Sequence, residues 1–312
     1  MAARPATSRG VRCVAPVGAA LGEGPLWIAA ENAVYWVDIL GGKLFRHFPA
    51  SAHTEVCTPP TPLTSLTPTR DGRLLCTGWQ GIHAFDPRSG TFVDVLRLDI
   101  DAHTLRINDS CCHPDGSFWF GTMDIAERHP FGDFYRLSAL GACDRFAAAF
   151  AITNGPAFTP AGDCGYFVDT LHRRILCATM DEGVLNGPLR LFAQIPATDG
   201  YPDGLAVDNE GGVWCAHWGG ARVTRFDAGG RLSEVVRLPV SNVTKCAFGG
   251  VHLDRLFITT ARKGLDADAL RAQPQAGGLF EVEVDYRGVA SAEYRGMVRN
   301  DATIRTCFFE IV

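Results

Sequence analysis

Tyr201-Pro202-Asp203-Gly204-Leu205-Ala206-Val207-Asp208 puts a carboxylate in a tight turn directly ahead of a short apolar strand. Pro-Asp-Gly fixes where the backbone leaves the turn, and the apolar run that follows has the composition of a strand. The direction of the Asp203 side chain is therefore fixed too. The same design occurs in Glu23-Gly24-Pro25-Leu26-Trp27 and in Asn154-Gly155-Pro156-Ala157-Phe158. In each, an oxygen-bearing side chain and a glycine precede an apolar run. Three such groups, distant in the chain but at equivalent places of a repeating unit, could converge on one ion.

The unit emerges when the strands that follow these turns are aligned. Second strands are expected over 33–38, 71–77, 115–121, 164–169, 212–216 and 255–260, and third strands over 43–48, 81–86, 132–137, 174–178, 222–227 and 278–283. Equivalent points at Val37, Thr77, Gly121, Val168, Ala216 and Thr259 recur at roughly 40 to 48 residues, the period of propeller blades and not of a solenoid coil. Outer strands are supplied by segments such as 90–95 and 232–238, and Asp71-Gly72, Asp115-Gly116 and Gly211-Gly212 supply hairpin turns. Helical periodicity appears only over 266–273. The expected class is all-β, a six-bladed β-propeller of four-stranded antiparallel blades with a central metal site. Residues 1–10 read as an N-terminal leader, 11–298 as a single propeller domain and 299–312 as a tail whose Cys307-Phe308-Phe309 either packs on the propeller or stays exposed. Closure of the ring is expected from 11–17 joining the last blade beside 288–297.

A chain of 312 residues suits one large all-β domain. With a net charge of -5 there is no basic face for a nucleic acid or an anionic membrane, and no run reaches the roughly 20 apolar residues of a spanning helix. The segment ahead of Arg12 lacks an apolar signal core, so a cytoplasmic location is expected. Eleven cysteines, an odd number without CxxC spacing, read as small buried hydrophobes in a reducing compartment. His113, His172, His217 and His252 lack HExxH spacing and read as structural, and no serine stands in a GxSxG elbow.

In a propeller the innermost strands run beside the axis, and the segments leading into them line one mouth of the channel. Those segments carry Glu23, residues 63–65, Arg106-Ile107-Asn108, Asn154, Asp203 and residues 242–245. Glu, Asn and Asp are hard oxygen donors, suited to Ca²⁺, Mg²⁺ or Mn²⁺ better than to a structural zinc site.

The motifs Leu21-Gly22-Glu23-Gly24-Pro25, Arg106-Ile107-Asn108-Asp109, Gly121-Thr122-Met123, Ile152-Thr153-Asn154-Gly155-Pro156 and Tyr201-Pro202-Asp203-Gly204 occur in this order at blade spacing. Over about residues 12 to 290 the chain thereby resembles the regucalcin/gluconolactonase (senescence marker protein) family of six-bladed propellers. Trp218-Gly219-Gly220, Asn242-Val243-Thr244-Lys245 and the segment from Thr259 to Leu265 look most like its bacterial sugar-lactonase branch. The resemblance implies one divalent metal ion (Ca²⁺, Mg²⁺, Mn²⁺, Fe²⁺ or Zn²⁺) held by Glu23, Asn154 and Asp203, with Arg106 and Asn108 on the sugar and Asp203 doubling as general base. The implied activity is metal-dependent hydrolysis of a sugar lactone to its sugar acid, with metal-bound water activated by Asp203. The partner is then a small-molecule lactone, not a nucleic acid or a membrane. Two alternatives stand beside it: an aryl-ester or organophosphate hydrolase on the same metal site, and a non-catalytic metal-binding propeller. One departure concerns the acidic residue that some members place after Gly-Thr-Met to bind the sugar. Here the chain reads Asp124-Ile125-Ala126-Glu127, and neither acid is assigned that place. Tyr201 and Trp218 either frame the sugar mouth or pack between blades.

Overall fold

The computed structural model describes residues 10–298 and 304–312. The described residues form six antiparallel sheets, whose inner strands Gly22–Ile28, Leu63–Pro68, Leu105–Cys112, Thr153–Phe158, Tyr201–Val207 and Val243–Gly249 stand in a closed ring, each beside the next. The chain is thus an all-β, six-bladed propeller. Second strands such as Ala33–Asp38 and Phe118–Asp124 are buried at every position, because each lies mid-sheet with blades packed on both faces. This explains why they read as almost continuous apolar runs. Trp36, Trp119 and Trp214 are fully buried between the blades, and Trp36 stacks on Phe45 with ring centroids 4.9 Å apart.

All six inner strands share one irregularity. Their register against the second strand breaks between Glu23 and Leu26, Leu63 and Ser65, Ile107 and Ser110, Asn154 and Ala157, Pro202 and Leu205, and Val243 and Lys245. A bulge at the same height in every blade turns the adjacent side chains out of the alternating pattern and toward the axis. At two of these breaks Gly24 (φ 58°) and Gly155 (φ 72°) adopt the left-handed conformation, which gives the glycine following Glu23 and Asn154 a mechanical purpose.

Ring closure differs in detail from the sequence expectation. Arg12–Ala15 completes the sixth blade as its outermost strand, but it pairs with Leu279–Glu283 and not with 288–297. The latter segment forms no strand; it crosses beneath the ring, bridging Gly288 to Asp208 and Tyr294 to Thr69. The blades are also not uniformly four-stranded. From the expected tail, Ile304–Thr306 joins the outer strand Thr91–Arg97 of blade two, and Glu310–Ile311 joins His53–Cys57 of blade one. These short pieces cover two free sheet edges. Of the tail aromatics, Phe309 packs edge-on against Tyr35 and Phe85, while Phe308 is exposed. Blade four carries an extra hairpin strand, Val184–Leu185. The expected helical turn is Ala267–Ala272, capped by the Asp266 carboxylate, which accepts from Ala269 N. The expected leader, apart from Gly10, lies outside the described residues.

Most cysteines are buried or partly buried as free thiols; Cys143 is exposed, contrary to the uniform expectation. Three of the four histidines singled out are tied into the fold. His113 and His217 are buried, His113 bonded to Gly162 O (2.8 Å) and His217 to Thr224 Oγ1 (2.7 Å); burial lowers His217 to about 4. His172 pairs with Asp169, and His252 is exposed.

Candidate active site

One mouth of the central channel opens into a cavity of about 350 Å³. Its walls include Glu23 from blade one, Arg106 and Asn108 from blade three, Asn154 from blade four and Asp203 from blade five. All five side chains are buried. Leu21, Ile39, Met123, Ile152 and Leu171 supply apolar wall; Tyr201 and Trp218 line the cavity too, and Trp218 also packs against the hydrophobic cluster of blades one and two.

The polar groups form a connected network. Arg106 Nη1 donates to Ile107 O (3.1 Å) and to Asn108 Oδ1 (2.8 Å). Asn108 Nδ2 in turn donates to Thr153 O (2.8 Å) and to Asn154 Oδ1 (2.9 Å). Asn154 Nδ2 donates to Thr170 Oγ1 (2.9 Å). With its nitrogen committed to Thr170, the Asn154 amide presents its oxygen to the Asn108 side, and a carbonyl oxygen has a second lone pair free for a further partner.

Below this layer, Asp109 and Lys245 form a buried ion pair on the axis. Asp109 Oδ1 also accepts from Ser110 N (2.7 Å), and Oδ2 accepts from Gly155 N (3.1 Å), tying blades three, four and six together. Burial alone would lower the Lys245 ammonium, but Asp109 together with Glu23 and Cys111 holds the group above its ordinary value. A Cβ at Gly204 would lie 2.6 Å from Lys245 Cβ, so the residue after Asp203 is glycine because the lysine stem occupies that space.

The electrostatics bear directly on a metal. Burial, then the charge of Asp109, pushes the Glu23 carboxyl up to about 8. Asp203 is raised well above the carboxylate range by burial and by the charges of Glu23 and Asp109. Against these three carboxylates the axis provides one ammonium, Lys245, with Arg106 nearby; burial lowers Arg106 to about 10 although Glu127, Glu23 and Asp203 all work to raise it. Two crowded carboxylates beside an oriented amide oxygen form a hard donor set with surplus negative charge, which fits a divalent cation. Among the described residues no three His, Cys, Asp or Glu side chains group as metal ligands.

The structure thus brings Glu23, Asn154, Asp203, Arg106 and Asn108 to one cavity. Of the two acids after Met123, Asp124 is consumed by its own turn, accepting from Ala126 N (3.0 Å), Arg128 N (3.0 Å) and His129 N (2.8 Å). Glu127, by contrast, lines the cavity. Lys263 lines it as well and pairs with Glu127. The sequence reading gave no role to Asp109, Lys245 or Lys263. The one available signal was the position of Asp109 and Lys245 at the register breaks, where side chains turn to the axis.

Comparison with known proteins gives a consistent result. A family profile described as "SMP-30/Gluconolactonase/LRE-like region" matches residues 21–262. An L-arabinolactonase of Azospirillum brasilense is 37% identical over 89% of this chain and 93% of its own length. Pentonolactonase XacC of Haloferax volcanii is 34% identical over 89% of this chain and 95% of its own. Among solved structures, a calcium-binding regucalcin of Agrobacterium tumefaciens superposes with a TM-score of 0.87 at 32% identity, covering 92% of this chain and 98% of that one.

Proposed function

The chain belongs to the SMP-30/gluconolactonase family, and from that premise we propose that it is a lactonase that opens the ester ring of a small sugar lactone, a pentonolactone foremost. The observation that carries this reading is the convergence of Glu23, Asn154, Asp203, Arg106 and Asn108 on one 350 Å³ cavity. The similarity to an L-arabinolactonase and to a pentonolactonase supports the choice of substrate class.

Hydrolysis of a lactone needs an electrophile at the carbonyl and a base for the attacking water. A divalent ion held by Glu23, Asn154 and Asp203 would supply Lewis acidity toward the ester carbonyl and the positive charge that keeps both carboxylates ionised. Asp203 accepts the proton of the attacking water. Arg106, oriented by Ile107 O and Asn108 Oδ1, directs its remaining guanidinium hydrogens at substrate oxygens and holds the ring in place for attack. Asn108 fixes both Arg106 and Asn154, and so couples the sugar-binding side of the cavity to the ion-binding side. Collapse of the tetrahedral intermediate breaks the bond to the ring oxygen, which takes up a proton, and leaves the open hydroxy acid. Leu21, Ile39, Met123 and Ile152 keep bulk water from the polar cluster.

The test is a pH-indicator assay of acid release over a panel of pentono- and hexonolactones, with chelator-treated protein re-supplied with single divalent metals. Metal-dependent acid release, strongest with a pentonolactone, is expected. No acid release from any lactone with any ion overturns the reading.

A further inference from the structure

Two loops from opposite sides of the ring meet over the cavity. Glu127 follows Phe118–Asp124, the second strand of blade three, and Lys263 follows Arg255–Thr260, the second strand of blade six. Blades three and six face each other across the six-fold ring, so the Glu127–Lys263 ion pair spans the mouth. Both partners line the cavity, and both side chains are about a third exposed.

Each end is rigidly held. The Asp124 carboxylate gathers three backbone N–H groups of the 124–129 turn, and within it Glu127 has φ 58°, a costly conformation for a residue with a side chain. On the other side Lys263 N donates to Ala20 O (2.9 Å), and Lys263 O accepts from Asn242 Nδ2 (2.9 Å). The ammonium sits 5.9 Å from the centre of the Trp218 ring. Glu127 also acts electrostatically on Arg106, another cation that lines the cavity.

We propose that the Glu127–Lys263 bridge is a specificity-determining element that restricts the cavity to uncharged lactones. The proposal rests on the lactonase reading above and narrows its substrate class. A neutral sugar lactone offers hydroxyls that donate to Glu127 and accept from Lys263. A lactone bearing a distal carboxylate, sulfonate or phosphate brings a second negative charge against Glu127, while the one lysine lining the cavity is already neutralised. Selectivity thus comes from a built-in repulsion in addition to attraction for the preferred ligand.

The experiment compares kcat/KM for a neutral aldonolactone and for an aldarolactone carrying a distal carboxylate, in wild type, Glu127→Gln and Lys263→Met. Wild type is expected to favour the neutral lactone by about tenfold or more, within the range of charge discrimination across a partly buried site. Glu127→Gln shrinks that preference about tenfold by raising kcat/KM for the anionic lactone, and added salt blunts the gain. Lys263→Met keeps or sharpens the preference, since Glu127 then stands unpaired. Equal use of both lactones by wild type, or a Glu127→Gln enzyme with an unaltered ratio, overturns the proposal while leaving lactonase activity standing. Failure of wild type to open either lactone overturns both.

Discussion

Replacing Lys245 by Met probes the axis of the propeller with little change of shape. The stem stays, packed where a Cβ at Gly204 would lie 2.6 Å away, and only the ammonium is lost. Asp109 then keeps its bonds from Ser110 N and Gly155 N but no longer has a counter-charge, in a place already crowded by Glu23 and Asp203. Breaking a buried ion pair from one side costs about 3–5 kcal/mol, because a buried charge is left uncompensated. At about 2.1 cal/mol/K of unfolding entropy per residue, a propeller of roughly 300 residues changes Tm by about 1.6 °C per kcal/mol, so a fall of about 5–8 °C is expected. Asp109→Asn removes the ammonium's direct partner but leaves it facing Glu23 and Asp203, so a smaller fall is expected. The double variant strands neither charge, so its loss is expected to be smaller than the sum of the single losses by about 2 kcal/mol or more. The assay is thermal unfolding followed by near-ultraviolet circular dichroism at one scan rate and saturating divalent ion. A Lys245→Met protein that melts within about 2 °C of wild type, or single losses that simply add, would refute the idea that the pair clamps the axis.

Three further outcomes are expected at the site. Asp203→Asn at saturating divalent ion loses about 10²-fold or more of kcat on a sugar lactone with unchanged circular dichroism, the usual worth of a general base; near-wild-type turnover removes Asp203 from that role. Arg106→Ala raises KM more than it lowers kcat, because the guanidinium holds substrate and does not exchange protons, and the opposite ranking in a saturation curve would contradict this. The third outcome concerns chelated protein. Glu23 is raised from 4.5 to about 8, so between those values the folded state binds more protons than the unfolded state, and stability falls as pH rises through that window. Asp203 acts in the same direction. Tm of the chelated protein should therefore drop from pH 5 to 8, and a divalent ion added at pH 8 should raise it more than at pH 5. A flat profile in the absence of ions would count against the crowding of these two carboxylates.

What was legible in the sequence and what was not divides along physical lines. The blade period was visible because every second strand must be apolar on both faces, as in Ala33–Asp38, and that requirement leaves a mark at each repeat. Glu23 and Asn154 were visible because the backbone turns left-handed directly after each, at Gly24 and Gly155, which leaves a glycine in the sequence beside the donor. Ring closure was half legible. Arg12–Ala15 reads as a strand, but its partner is chosen by which outer edge remains free, and that edge belongs to Leu279–Glu283. The tail strands Ile304–Thr306 and Glu310–Ile311 are too short to carry a period and exist only because blades one and two offer edges to pair with.

Least legible were the charges that meet across the ring. A lone lysine reads as solvated, and nothing local to Lys245 or Lys263 says that a carboxylate some 136 residues away will face it. Yet these pairs differ in what they constrain. Lys245–Asp109 is enclosed and ties blades three, four and six together beside the buried carboxylates Glu23 and Asp203. Glu127–Lys263 lies at the open mouth, where a change at either residue alters what the cavity admits without disturbing the ion donors beneath. The repeat therefore fixes where chemistry can occur, while the choice of lactone falls to loop residues outside the repeat, which is why the sequence pattern reached the reaction class before it reached the substrate.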